Sequence, residues 1–222
     1  MIEDGSDYHR LELSIARDPA DPRRVMPPIT DRHQRILDVG CGAGQTLIAS
    51  NLPARVFAVG VDVDHSALAL GKQLTETIRF VRAQGELLPF EDACFDFVIC
   101  RIALPYMHLS NAVAEMSRVL KAEGDLWLVL HPCRMSLKEL ARSVAGLQLK
   151  AAVYRSWVVI NGLTLHVLGK QWAWPGRNNR YESWQTNSGV KRALQAAGFE
   201  EIEIDRESHF VVTAVKKSDA AD

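Results

Sequence analysis

The chain has 222 residues, the size of one domain with appendages. Hydrophobic residues make up 47% of it, enough for a substantial core, and charged residues 24%, with a net charge of −1. That balance supplies no overall basic field to draw in nucleic acid, and no uninterrupted apolar run reaches membrane-spanning length.

The opening residues, Met1 to Gly5, are acidic and carry no apolar h-region, so a signal peptide is not expected. Cys41, Cys94, Cys100 and Cys133 show no C-x-x-C spacing, which points to reduced thiols in a cytoplasmic protein rather than a disulfide or metal framework. Residues 1–34 form a weakly patterned N-terminal arm. Leu11, Leu13 and Ile15 alternate with polar residues, and a short helix fits equally well. Pro19, Pro22, Pro27 and Pro28 exclude regular structure up to about Thr30. The arm either covers a site or packs as a surface tail.

Ile36 to Val39 reads as a buried strand that breaks into glycines at 40, 42 and 44, followed by a helix start at Gln45. Glycine reaches φ > 0 and lets a ligand approach the backbone. The helix start offers unbonded N–H groups to the same space, and Asp38 adds a carboxylate. A dinucleotide fingerprint, G-x-G-x-x-G/A, would need Gly or Ala at position 45. Gln45 stands there, which disfavours a nicotinamide oxidoreductase.

Arg55 to Asp62 reads as a second strand, ending in an acid about 20 residues beyond Gly40, as suits a ribose-binding carboxylate. Asp64 reads as the N-cap of a helix to about Thr77. Ile78 to Arg82 is a third strand and Phe95 to Cys100 a fourth. Asn111 to Lys121 is helical, with Val113, Met116, Val119 and Leu120 on one face. Gly124 to His131 is a fifth strand.

Within the 132–185 insertion, Ser136 and Glu139 suggest a capping box, with Leu137, Leu140, Ala141, Val144 and Leu147 on one helical face. Val153 to Ile160 and Leu163 to Leu168, joined by Asn161-Gly162, predict a β-hairpin. Four of the five tryptophans lie between 157 and 184. They could line an acceptor pocket, form a homodimer interface or simply pack a subdomain. Ser188 to Ala197 is a helix stopped by Gly198. Phe199 to Ile204 and Phe210 to Val215 are closing strands.

The D-x-G-x-G-x-G core at Asp38, Gly40, Gly42 and Gly44 resembles motif I of class I S-adenosylmethionine-dependent methyltransferases. Leu88-Pro89-Phe90 with Phe95-Asp96-Phe97-Val98, Arg118-Val119-Leu120-Lys121 and Ala197-Gly198-Phe199 extend the resemblance to about residues 36–131 and 188–216. Gln84 departs from it, Asp being common there, and Ala122-Glu123 replaces Pro-Gly. The resemblance implies one α/β domain over 1–222, a Rossmann-like doubly wound sheet of seven mostly parallel strands with the last antiparallel, plus a helix-and-hairpin insertion as acceptor lid or interface. It implies S-adenosyl-L-methionine held by Asp38, Gly40, Cys41, Gly42, Gly44, Asp62, Val63, Gln84, Gly85, Glu86, Arg101 and Ile102, with no metal. Methyl transfer to a small-molecule acceptor follows, with no nucleic-acid or membrane partner. A cofactor-binding protein without turnover is the alternative. Tyr106 and His131, at strand ends, are the candidates to face the acceptor, His131 as general base.

Overall fold

A computed structural model describes residues 5–131, 133–175 and 181–218. The expected strands form β1 (Arg35–Val39), β2 (Phe57–Asp62), β3 (Ile78–Arg82), β4 (Phe95–Arg101), β5 (Leu120–Leu130), β6 (Phe199–Asp205) and β7 (Phe210–Lys216). They make one seven-stranded sheet in the order β3-β2-β1-β4-β5-β7-β6. The pairs from β3 through β5 are parallel, and β7 runs antiparallel to both β5 and β6. This is the doubly wound sheet with a reversed last strand.

The apolar runs of the strands are continuous because both faces are covered. Ile36, Phe97, Ile99 and Trp127 pack one face, where Leu13 of α1 (Gly5–Arg17) and Leu47 of α2 (Gln45–Ala49) meet them. Leu37, Val39, Val98 and Leu128 pack the other, under Met116 of α4 (Leu109–Val119) and Leu194 of α7 (Asn187–Ala196). Strand order reverses between β1 and β4, and ligands of such sheets bind at the carboxyl ends beside that reversal.

Local signals mostly act where expected. Asp64 caps α3 (His65–Leu74), its Oδ1 accepting the N–H of Ser66 at 2.8 Å and Ala67 at 3.3 Å. That helix stops short of Thr77 because Ile78 already pairs with Ala58. The fifth strand starts earlier than Gly124. α4 ends at Val119, and Leu120 immediately pairs with Phe95. A register shift between Phe95 and Phe97, with Glu123 at φ 60°, absorbs the extra residues.

The insertion departs from expectation twice. Its first helix, α5 (Cys133–Ala145), starts before Ser136, so no capping box forms; Glu139 instead pairs with Arg155 at 2.9 Å. The expected hairpin is one 20-residue helix, α6 (Leu149–Leu168). Asn161 and Gly162 lie on its buried face instead of in a turn. The Asn161 amide donates to the carbonyls of Trp172, Tyr181 and Glu182 at 3.1–3.2 Å and accepts the Trp172 N–H at 2.9 Å. A Cβ on Gly162 would stand 2.3 Å from the Trp184 indole nitrogen. These tertiary contacts override the β-propensity of the Val-Val-Ile run.

Candidate active site

Gly40, Gly42 and Gly44 all take left-handed φ, at 75°, 56° and 78°. At Gly40 a Cβ would also stand 2.1 Å from the Cβ of Ala103, so the fold excludes a side chain twice over. The loop's donors turn inward. Gly40 and Cys41 both donate to the Val61 carbonyl, at 2.7 and 3.0 Å, and Gly42 donates to Asp62 Oδ2 at 2.8 Å. These three N–H groups therefore bind the loop to β2.

What the loop region presents to the crevice is acceptors. Asp38 is 1% exposed, and neither carboxylate oxygen has a partner among the described residues. Burial pushes its carboxyl up to about 7; Arg101 pulls the other way and Asp62 adds to the rise. Asp62 accepts one backbone N–H on each oxygen, from Gly42 and Asp64, and keeps lone pairs for a further donor. Burial raises the thiols of Cys41 and Cys100, which makes both poor nucleophiles.

Two cavities of about 370 and 430 Å³ meet over this floor and share Gly40, Asp62, Ala103 and Tyr106. The larger is walled by Val63, Gln84, Gly85, Glu86 and Met107. Glu86 is tied down by the His108 N–H at 2.8 Å. The smaller contains Asp38, Cys41, Gly42, Arg101 and Ile102. Gly44 lines neither cavity; it precedes α2 and packs on Phe80.

The N-terminal arm contributes to the wall of the smaller cavity. Tyr8, His9 and Glu12 of α1 line it. Arg101 pairs with Glu12 at 3.0 Å and donates from Nε to Thr46 at 3.1 Å, while Gln45 meets His9 at 2.7 Å. These arm residues went unassigned in the sequence because their partners lie far along the chain, 89 positions for Glu12 and Arg101.

The carboxyl end of β4 is strained. Ile102, β-branched, sits at φ 65° and donates its N–H to Val129 at 2.8 Å. Such a conformation costs about 1–3 kcal/mol and concentrates at functional sites. Beyond it, the Tyr106 and His131 rings meet edge-on with centroids 6.0 Å apart. His131 Nδ1 lies 3.1 Å from Met135 Sδ, and its buried Nε2 has no partner among the described residues. Burial lowers the His131 pKa against the opposing pull of Glu139 and Glu182. Burial first, then Glu182 and Glu139, raises that of Tyr106. Near neutral pH the imidazole is thus neutral and the phenol protonated. A third cavity, about 620 Å³, opens past Ile102, His131 and Met135 toward Arg134, Arg206 and Phe210.

Residues 37–128 match the family model of a methyltransferase domain. Over this segment, about two fifths of the chain, the protein is similar to methyltransferase domains. The chain is 36% identical over 103 residues to an uncharacterized methyltransferase, YcgJ, of Bacillus subtilis, covering 44% of this chain and 40% of that one. It is 34% identical over 99 residues to a ubiquinone/menaquinone biosynthesis C-methyltransferase of Geotalea uraniireducens, covering 40% and 42%. The chain thus spans about two fifths of the length of these curated relatives. A solved methyltransferase from Methanosarcina mazei superposes with a TM-score of 0.56 at 20% identity, covering 86% of this chain and 95% of the other, so the shared fold extends past the matched segment. The matched segment contains Asp38 to Tyr106 of the site; the arm, His131 and the α5–α6 insertion lie outside it.

Proposed function

We propose that the chain binds S-adenosylmethionine across the two adjoining cavities and catalyses methyl transfer to a small organic acceptor. The observation that carries this reading is the acceptor-rich floor. Asp38, Asp62 and Glu12 face a space beside which the N–H groups of Gly40, Cys41 and Gly42 are already used. Such a floor suits ribose hydroxyls and an ammonium, and repels the pyrophosphate of a dinucleotide.

The orphaned Asp38 carboxylate and the side-chain-free backbone at Gly40 fit the cofactor. Asp62 would accept from its ribose, Asp38 would face its ammonium, and Val63, Gln84, Gly85 and Met107 would border its base. When bound, the cofactor supplies a methyl group activated on a sulfonium. The chain's share is positioning, exclusion of water and, where an acceptor must lose it, removal of a proton. α1 covers the site through the Arg101–Glu12 pair. His131 Nε2, neutral and without a partner among the described residues, can take that proton, and the protonated Tyr106 can donate a hydrogen bond beside it. Both stand where the cofactor cavity meets the rest of the carboxyl edge, and His131 also borders the 620 Å³ cavity, which is large enough for a small acceptor. The quinone-pathway relative acts at carbon by its name, and an organic acceptor agrees with it. The free cysteines suit a reducing, cytoplasmic setting.

Calorimetry tests the first half: S-adenosylhomocysteine binds and NAD does not. Radiolabelled methyl transfer into a cell extract tests the second, with label expected in the small-molecule fraction. Binding of NAD alone would overturn the cofactor. Cofactor binding without transfer to any extract component would overturn the enzyme, and label confined to macromolecules would overturn the acceptor class.

A further inference from the structure

α6 buries one face and leaves the opposite one bare in a regular pattern. Val158, Asn161, Gly162 and Leu165 are buried against the rest of the chain. On the far side Leu149, Val153, Ile160, Leu163 and Val167 are each more than half exposed, at 77, 53, 56, 52 and 62%. Val153, Ile160 and Val167 recur at intervals of seven, as do Leu149, Ser156 and Leu163. The two rows are offset by three and four residues, the a/d spacing of a helix that packs on another helix. The stripe runs about 28 Å along the axis.

We propose that this stripe is the contact surface of a homodimer, in which α6 packs antiparallel against α6 of a second copy. Three observations select that occupant. The stripe is symmetric about its midpoint: reversing the helix sets Leu149 opposite Val167, Val153 opposite Leu163 and Ser156 opposite Ile160. That self-complementarity is what an isologous two-fold interface requires, and it pairs the stripe's one small residue with a bulky one. The stripe is uncharged, so two copies meet without like-charge repulsion. Lys150 and Arg155 are the only Lys, Arg, Asp or Glu residues in α6, and Arg155 is engaged by Glu139 and Glu182. A helix that lies on a bilayer would instead carry a polar face rich in Lys and Arg. The scale also fits. Nine aliphatic side chains at least half exposed lie on α5, α6 and their flanks, Val144 and Leu147 among them. A specific interface buries roughly 800 Å² per partner, mostly from side chains of this kind at its core.

Sedimentation velocity on the full chain at micromolar concentration should give twice the chain mass of 24.7 kDa. Ile160→Glu should weaken association at least a hundredfold while circular dichroism stays unchanged. Independently of that variant's folding, the double variant Val153→Cys/Leu163→Cys should form a covalent dimer on oxidation, and Ile160→Cys alone should not, with wild type as the control. A monomeric wild type overturns the proposal, as does an Ile160→Glu protein that folds and still dimerises. Cross-linking through Ile160→Cys alone refutes the antiparallel packing. A monomer that co-sediments with phosphatidylglycerol vesicles assigns the face to membrane instead.

Discussion

Replacing Asp38 with Asn separates what the carboxylate costs the fold from what it does for a ligand. The group titrates at 3.8 by its ordinary chemistry and at about 7 in the fold, because burial penalises its charge. At about 1.4 kcal/mol per pH unit, ionised Asp38 costs the ligand-free protein about 4 kcal/mol. A raised carboxyl means that the fold keeps a proton where the unfolded chain has released it. Stability from this group is therefore complete below pH 3.8 and falls as pH rises toward 7. About 2.5 kcal/mol of the loss falls between pH 5 and pH 8. Asn does not ionise, so Asp38→Asn should gain about that much on wild type across the same interval, read by urea denaturation of ligand-free protein. The cost of an unpartnered buried amide is the same at both pH values and cancels in the comparison. Binding should move the other way: at pH 8 the variant should lose S-adenosylhomocysteine affinity, having no charge to offer an ammonium. A stability gap that stays constant from pH 5 to 8 refutes the electrostatic reasoning.

Asp62→Ala removes a carboxylate that also fastens Gly42 and Asp64. Cofactor affinity should fall at least tenfold with the fold intact, and an unchanged dissociation constant by calorimetry would make the acid purely structural. His131→Gln should cut turnover roughly 10²-fold if Nε2 takes a proton, with cofactor affinity unchanged; a much smaller loss in steady-state assays would leave positioning as its role. Asn161→Ala strips α6 of a four-bond buried network. It should cost about 2–4 kcal/mol in denaturant unfolding, and a cost near zero would mean that the network does not hold the helix in place.

The sheet was legible because its signals are local. The apolar strands, the glycines at left-handed positions, the Asp64 cap and the stop at Gly198 each act within a few residues. Asp38, Asp62, Tyr106 and His131 follow once parallel strands place their carboxyl ends along one edge. The remainder of the site depends on distant pairing. Nothing near Glu12 marks it as the partner of Arg101, and nothing in the glycine loop shows that the Val61 carbonyl takes two of its donors. That second fact bears on the proposed ligand, since the N–H groups of Gly40, Cys41 and Gly42 are spent while the Asp38 carboxylate has no partner among the described residues.

The misread hairpin has a more specific cause, and it bears on the proposed dimer. A lone surface helix shows polar residues on its outer face, and that contrast gives the helical period its signal. In α6 the inner face carries Asn161 and Gly162, both turn formers, while the outer face carries Val153, Ile160, Leu163 and Val167. The usual contrast is inverted along half the helix, so local patterning favours strands flanking a turn. Asn161 is inside because it stitches α6 to the backbone of Trp172, Tyr181 and Glu182, and Gly162 because Trp184 presses against it. Neither accounts for aliphatic side chains left facing water on the opposite side. Helix propensity does not favour them either, since Val and Ile lose rotamer freedom in a helix relative to Leu or Ala. A second helix does account for them: β-branched residues in one row of a seam and leucines in the other are the side chains that interdigitate with a neighbouring helix. The feature that disguised α6 as a hairpin is thus the feature that two copies would bury.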